Sequence, residues 1–207
     1  MFTVRAPART ECLVVSELIL QSDCGVLPAL FGRNVKALLC NLQTAQLNPY
    51  SAENTLVRVD QEKAESVIGA LVGSLISVTR RTTLHTAALL FRWYGPGFLT
   101  RLPRLVRAGK TLDGLEPDDY YLSHISVLPA HRGRGAGRAL LRAGEEHARK
   151  LGARRIVLDV EEHNEGARSF YERLDYRFES IIRINLGRRG AFSFLRLTIG
   201  LHARVGA

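Results

Sequence analysis

The chain has 207 residues, of which 46% are hydrophobic and 24% are charged, so it is long enough for one large globular domain or for a domain with an insertion. Its longest apolar run, residues 67–78, is too short to cross a bilayer, and residues 1–5 have no apolar signal core. These features argue against a membrane-spanning or secreted protein. We therefore expect a single cytoplasmic domain over residues 1–207 with no membrane partner.

The net charge of +9 is distributed unevenly along the chain. No acidic residue lies between Glu65 and Asp113, a stretch that contains seven lysines and arginines, and none follows Glu179. A basic field of this kind attracts anions such as a phosphorylated cofactor, RNA, acidic lipid or an acidic substrate. A solvated basic face that binds nothing explains the same charge equally well.

The three cysteines, Cys12, Cys24 and Cys40, form no C-x-x-C pair. An odd number of cysteines without metal-ligand spacing favours buried thiols in a reducing cytoplasm over disulfides or a metal site. We therefore expect neither a disulfide nor a bound metal.

The spacing of apolar residues predicts the elements of the first half. We expect a short strand at residues 3–6, a helix at 11–21, a turn or short helix at 28–32 and a second helix at 34–45. An antiparallel hairpin follows, with strands at 55–59 and 67–78 on either side of a polar turn at 60–64. The last strand is apolar on both faces, which favours a central position in a sheet.

Residues 81–110 are rich in leucine and arginine and are interrupted by Gly95-Pro96-Gly97 and by Pro103. This pattern predicts two short amphipathic helices around a Gly-Pro-Gly corner. An acidic loop over 111–119 follows. Residues 80–118 together are expected to form a basic helical insertion.

The second half alternates between strand and helix patterns. The pattern predicts a strand at residues 120–128, a helix at 138–151, a strand at 155–160 and a helix at 164–174. Two strands at 176–184 and 192–199 follow, joined by a hairpin turn at 187–190. Strand–helix–strand crossovers imply parallel pairing of the middle strands, whereas the ends of the sheet look antiparallel. The sequence thus predicts an α/β protein with a mixed sheet.

The stretch His131-Arg132-Gly133-Arg134-Gly135-Ala136-Gly137-Arg138 lies between a predicted strand and a predicted helix. Glycines let backbone N–H groups approach a ligand, the helix start adds free donors, and arginines add charge, so this turn is suited to phosphate. A dinucleotide fingerprint would need its third glycine at position 138, which is Arg138, and no Gly-Lys-Ser/Thr of a Walker loop is present.

Three motifs in order resemble the GCN5-related N-acetyltransferase (GNAT) family. Arg132 to Gly137 is similar to the family's Q/R-x-x-G-x-G/A cofactor loop, Asn164 to Tyr171 to its N-x-x-A-x-x-F/L-Y motif, and Ile125 to Pro129 to I-A-V-x-P at the end of its fourth strand. The resemblance covers residues 120–185. One departure is Leu174-Asp175-Tyr176, where the family usually has Leu-Gly-Phe.

This resemblance implies a GNAT-like fold: a mixed, mostly antiparallel central sheet with a parallel, splayed middle pair, flanked by helices, with the helical insertion before the fourth strand. It also implies transfer of an acetyl group from acetyl-CoA to a primary amine by direct attack, without a metal. The amine could be a protein N-terminus, a lysine or a small amine.

The resemblance also implies the cofactor-binding residues. The backbone N–H groups of residues 133–138, in the turn that Arg132 opens, would bind the pyrophosphate. The fourth-strand backbone would pair with the pantetheine arm and polarise the thioester carbonyl, and Asn164 would cap its helix and bond the same arm. The full set is Ile125, Ser126, Val127, Arg132, Gly133, Arg134, Gly135, Ala136, Gly137, Arg138 and Asn164.

The expected catalytic residues are Tyr171, Asp159 and His124. Tyr171 stands where the family places the general acid that protonates the leaving thiolate, although it could equally be a core aromatic like Phe170. A base must accept the amine proton. Asp159 ranks first because it occupies the position where the branch that acetylates ribosomal-protein N-termini carries a glutamate. His124 on the neighbouring strand ranks second and Glu161 third, with His163 nearby; solvated polar residues at a strand end are the alternative for each.

Two other functions stay open at this stage. One is a non-catalytic acetyl-CoA-binding module. The other, less favoured, is a basic nucleic-acid-binding protein, because the chain lacks the interleaved aromatic and basic residues that stack bases. The insertion could cover the acceptor cleft, select an acidic acceptor, or form the face of a homodimer.

Overall fold

The computed structural model describes residues 2–61 and 66–201. Its centre is a seven-stranded sheet in the order β1-β2-β3-β4-β5-β7-β6. Neighbouring strands are antiparallel except β4 and β5, which are parallel, as predicted. The strands are β1 (Phe2–Arg5), β2 (Thr55–Asp60), β3 (Ser66–Leu75), β4 (Asp119–Val127), β5 (Arg155–Glu161), β6 (Arg177–Asn185) and β7 (Ala191–Gly200).

Seven α-helices connect or flank these strands in the described residues. They are α1 (Cys12–Ser22), α2 (Val26–Phe31), α3 (Val35–Thr44), α4 (Ile76–Tyr94), α5 (Leu102–Gly109), α6 (Ala136–Lys150) and α7 (Glu165–Glu172). Within this part of the chain no helix is both long and apolar enough to span a membrane. Asn164 caps α7 as predicted, since its side chain accepts a hydrogen bond from the Ala167 N–H at 3.0 Å.

The helices bury both faces of the sheet. On the α1 face, helices α1, α2 and α3 enclose a core that includes Leu18, Leu38 and Val57. On the α6 face, a second core includes Leu71 of β3 and Leu140 of α6, and it extends to α7. Because β3 alternates, Leu71 points to the α6 face while its neighbours Ala70 and Val72 belong to the α1 core.

The parallel pair β4–β5 separates part-way along its length. Register pairs run from Asp119↔Arg155 to Leu122↔Leu158, and then the pairing stops. Both strands continue without each other, β4 over residues 123–127 and β5 over residues 159–161. We call the opening between these two stretches, which do not pair with each other, the β4–β5 gap. It is the splayed middle pair that the family resemblance implied.

A bulge in β4 lies at the start of the gap. Val72 of β3 pairs with His124 and Gly73 pairs with Leu122, so Ser123 is the extra residue. Gly73 permits this packing because a Cβ there would lie 2.5 Å from the Tyr120 ring. The bulge places Tyr120, Leu122 and Val127 in the α6 core and leaves His124 on the α1 face.

The helical insertion differs from its prediction at its first boundary and at Pro103. The strand predicted over 67–78 ends at Leu75, and α4 begins at Ile76 and runs for 19 residues. Ile76 is fully buried and belongs to the same apolar run as β3. The periodicity of such a run does not show where the strand ends and the helix begins. Pro103 lies in the first turn of α5, where proline is tolerated, and does not interrupt that helix. Most of the predicted polar turn over 60–64 lies outside the described residues.

The expectation of three reduced, buried thiols is wrong. Cys12 and Cys40 form a disulfide between α1 and α3, with their Cα atoms 4.7 Å apart. Cys24 is free and exposed. The pair is 28 residues apart in sequence and belongs to no spacing motif, so only the packing of α1 on α3 brings the two cysteines together.

Candidate active site

The glycine-rich turn joins the end of β4 to the start of α6. Gly133 and Gly135 have φ angles of +72° and +75°, a conformation that favours glycine. The Arg132 side chain stabilises the turn, because its Nε donates to the Val127 carbonyl at 2.9 Å. The N–H groups of residues 133–138 donate to no other described residue, and the helical ladder begins only with the Ala139 N–H donating to the Gly135 carbonyl. These six donors, with exposed Arg134 and Arg138, can bind an anion.

The β4–β5 gap leads away from this turn. Ile125, Ser126 and Val127 pair with β3 along one edge of β4, and their other edge has no strand partner. An unpaired strand edge offers N–H and C=O groups to an extended ligand, although here Arg132 already occupies the Val127 carbonyl. The predicted binding stretch of β4 therefore lies directly beside the anion-binding turn.

Tyr171 lies on the α6 face with its ring enclosed. It is 5% exposed, and its ring packs edge-on against Phe170 and Tyr176, with centroids 5.2 and 5.4 Å apart. Among the described residues its hydroxyl has no hydrogen-bond partner. Burial raises the pKa of Tyr171, so the phenol keeps its proton at neutral pH and can donate it.

Asp159 lies on the α1 face, and its carboxylate is fully engaged. Arg196 of β7 binds it through two nitrogens, Nε to Oδ1 at 2.8 Å and Nη2 to Oδ2 at 2.9 Å. The Tyr121 hydroxyl donates to Oδ2 at 3.0 Å. The two charged side chains are 5% and 8% exposed, so this is a buried ion pair. Burial first, and then the Asp159 charge, raise the pKa of Tyr121.

Sequence reasoning missed Arg196 and Tyr121 as partners of Asp159. Arg196 lies directly across from Asp159 in the β5–β7 register. An arginine between Leu195 and Leu197 in an apolar strand is a signal for a buried partner, but the partner can be named only once β7 is known to insert beside β5.

His124 also lies on the α1 face, at the edge of the gap. Its Nδ1 is 3.0 Å from the Ser22 Oγ at the end of α1, and its ring centroid is 5.9 Å from that of Tyr50. Burial lowers the pKa of His124 to about 4, so the imidazole is neutral at pH 7. A neutral imidazole has one nitrogen with a free lone pair and can accept a proton.

Glu161 and His163 lie at the end of β5. Partial burial, and then the charges of Asp23 and Glu161, raise the pKa of the Cys24 thiol to about 11, which places Glu161 near the α1–α2 turn. His163 is exposed in the turn before α7. The structure thus distributes the predicted residues over two faces: Tyr171 and the glycine-rich turn on the α6 face, and His124 and Asp159 on the α1 face. The β4–β5 gap lies between the faces.

Residues 50–176 match the family model described as acetyltransferase (GNAT) family. The chain belongs to the GNAT family. Among curated proteins it is 34% identical over 91 residues to N-alpha-acetyltransferase 30 of Schizosaccharomyces pombe, a match that covers 44% of this chain and 57% of that protein. The chain thus spans little more than half the length of this relative.

Solved structures of low sequence identity share the fold. A crystal structure of an acetyltransferase has a TM-score of 0.67 at 20% identity, covering 97% of this chain and 100% of that one. The structure of yncA from Salmonella typhimurium with its cofactor acetyl-CoA has a TM-score of 0.57 at 15% identity, covering 100% and 98%. The GNAT-like fold that the motifs implied is confirmed.

The family uses acetyl-CoA, and the residues of this chain fit it. The turn offers six unpaired backbone donors and exposed arginines to a pyrophosphate, and β4 offers an unpaired edge to an amide-bearing arm. In the described residues no group of three or more His, Cys, Asp or Glu could hold a metal ion.

Proposed function

We propose that this protein transfers an acetyl group from acetyl-CoA to a primary amine. The observation that carries the proposal is the β4–β5 gap, which lies between the glycine-rich turn on the α6 face and the polar side chains of Ser22 and His124 on the α1 face. One face has the donors for a phosphorylated co-substrate, and the other has a neutral histidine with a lone pair. Family membership supports the same reaction.

Residues 133–138 bind the pyrophosphate in this proposal, and the free edge of β4 at Ile125, Ser126 and Val127 binds the pantetheine arm. A cavity of about 340 Å³ beside α6 is lined by four arginines, which outnumber its two carboxylates: Arg138, Arg142, Arg149 and Arg173 against Glu145 and Asp175. Its charge suits the remaining phosphate of the nucleotide. A backbone N–H of β4 polarises the thioester carbonyl, where negative charge develops during attack.

His124 replaces Asp159 as our preferred proton acceptor. Three hydrogen bonds from Arg196 and Tyr121 occupy the Asp159 carboxylate, and taking a proton there would break a buried ion pair. We propose instead that Asp159 and Arg196 stiffen β5 and β7 beside the gap. His124 is neutral and lies on the strand whose backbone binds the thioester.

The reaction balances with these two groups. The amine nitrogen attacks the thioester carbonyl carbon, so a C–N bond forms and the C–S bond breaks. His124 takes the amine proton as the C–N bond forms, when the nitrogen becomes acidic. Tyr171 gives its phenolic proton to the departing sulfur. Solvent then returns both groups to their starting protonation states.

The acceptor enters from the α1 face in this proposal. The S. pombe relative is named as an N-alpha-acetyltransferase, which supports a protein or peptide N-terminus as the first acceptor to test. The acidic side chains Asp23 and Glu161 near this face favour a cationic acceptor.

The decisive experiment follows free thiol release from acetyl-CoA with a panel of peptides and small amines. Tyr171→Phe should lower kcat by about 10²-fold or more, because it removes the general acid. Calorimetry should show unchanged affinity for CoA. Tyr120→Phe is the matched control, because its hydroxyl is buried without a partner in the other half of the same core.

Three outcomes would contradict the proposal. Tight CoA binding without turnover across the panel would leave a binding module. Absence of CoA binding would remove the acetyl-CoA site altogether. Equal kcat for Tyr171→Phe and Tyr120→Phe would remove Tyr171 from the chemistry.

A further inference from the structure

Ser22, the last residue of α1, connects a helix end to the active site. Its hydroxyl donates to the Ile19 carbonyl at 2.7 Å. The last carbonyls of a helix lack partners in the helix itself. The Asp23 N–H donates to the Leu20 carbonyl and not to the Ile19 carbonyl, and the Ser22 hydroxyl supplies a donor to Ile19.

The same Ser22 oxygen lies 3.0 Å from Nδ1 of His124, 102 residues away in sequence. A serine hydroxyl has a single hydrogen, and the Ile19 carbonyl takes it. The oxygen can therefore only accept from His124, which requires a proton on Nδ1. The reverse arrangement would take the Ser22 hydrogen away from the carbonyl of Ile19, a residue that is 1% exposed.

We infer that Ser22 holds His124 as the Nδ1–H tautomer, so that Nε2 presents its lone pair to the acceptor amine. Ser22 is thus a positioning residue, and the inference rests on the proposed role of His124 as proton acceptor. Nε2 has no hydrogen-bond partner among the described residues and is not closed off from solvent. Without this contact the imidazole would carry its proton on either nitrogen, and the molecules protonated at Nε2 could not accept the amine proton there.

The Tyr50 ring supports the same geometry. It lies beside the His124 ring, with the centroids 5.9 Å apart and the planes inclined at 34°. With Nδ1 bonded to Ser22, Nε2 is the nitrogen left for an incoming amine.

Nitrogen-detected NMR of the histidine side chains tests the tautomer directly. His124 is assigned by the signal that disappears in His124→Gln. We expect Nδ1 of the wild-type protein to show the shift of a protonated nitrogen and Nε2 that of a nitrogen with a lone pair. Ser22→Ala should move both shifts toward a mixture of tautomers, and Ser22→Thr, which keeps the hydroxyl, should restore them. A wild-type Nε2–H tautomer, or unchanged shifts in Ser22→Ala, would overturn the inference.

Kinetics separate this inference from the proposed function. Ser22→Ala should lower kcat by about tenfold with little change in KM for acetyl-CoA, less than the roughly 10²- to 10⁴-fold loss that removal of a general base causes. Ser22→Thr should recover the rate. Full activity of His124→Gln would refute the base assignment while the NMR result stands on its own. Equal kcat for wild type and Ser22→Ala, with His124→Gln inactive, would overturn the positioning role.

Discussion

Acidification should destabilise the folded protein through one side chain, His124. Its pKa is about 4 in the folded state because it is buried, against an ordinary value of 6.5. The unfolded chain therefore binds more protons than the folded chain between these two values, so the free energy of unfolding falls as the pH drops through this window. Below pH 4 the full loss is about 3 kcal/mol, and between pH 7 and pH 4.5 it is about 2 kcal/mol.

Urea unfolding at several pH values measures this contribution. Other groups titrate in the same range, so the informative quantity is the difference between the wild-type protein and His124→Gln, which cannot titrate at this position. We expect the wild type to lose about 2 kcal/mol more than the variant between pH 7 and pH 4.5. Parallel pH curves for the two proteins would show that His124 is as accessible to protons when folded as when unfolded, and would refute the argument.

Two further predictions concern links between distant parts of the chain. Arg196→Leu should lower the free energy of unfolding by about 3–5 kcal/mol because Asp159 stays buried without its guanidinium partner, and the double variant with Asp159→Leu should recover part of that loss. Urea unfolding measures both changes. An Arg196→Leu variant as stable as wild type would contradict the prediction. Reduction of the Cys12–Cys40 disulfide, which closes a loop of 28 residues, should cost about 3–4 kcal/mol. Thermal unfolding with and without reductant measures this cost. The control variant Cys24→Ser should show the same loss on reduction, and a wild-type protein whose stability does not change with reductant would disprove the prediction.

Local patterns predicted much of the second half of the chain. Residues 120–185 combine strand and helix periodicity with motifs whose function depends on near neighbours in sequence, such as Asn164 capping the helix that begins at Glu165. The turn at residues 133–138 depends on the φ angles of two glycines and on the start of α6. Such features need only a few consecutive residues, so a sequence reveals them.

Features that depend on pairing between distant segments could not be predicted. Asp159 looked free for catalysis because its partner Arg196 comes from β7, 37 residues further along. The disulfide and the contact between Ser22 and His124 likewise join segments that only the packing of α1 brings near α3 and β4. The boundary between β3 and α4 was predicted wrongly for a different reason, since the residues on both sides of it are apolar and largely buried.

The division of the site between two faces of the sheet explains why the acceptor is harder to identify than the donor. The glycine-rich turn, α6 and α7 come from one continuous stretch of chain, residues 125–176, which carries the motifs that resemble the family's. The α1 face combines the end of α1, Tyr50, His124 and the end of β5, which are distant in sequence. Changes in the turn between α1 and α2 can therefore alter the proposed acceptor side of the gap without disturbing the glycine-rich turn. In this chain that turn begins with Asp23, directly after Ser22, and we expect acceptor preference to follow substitutions there.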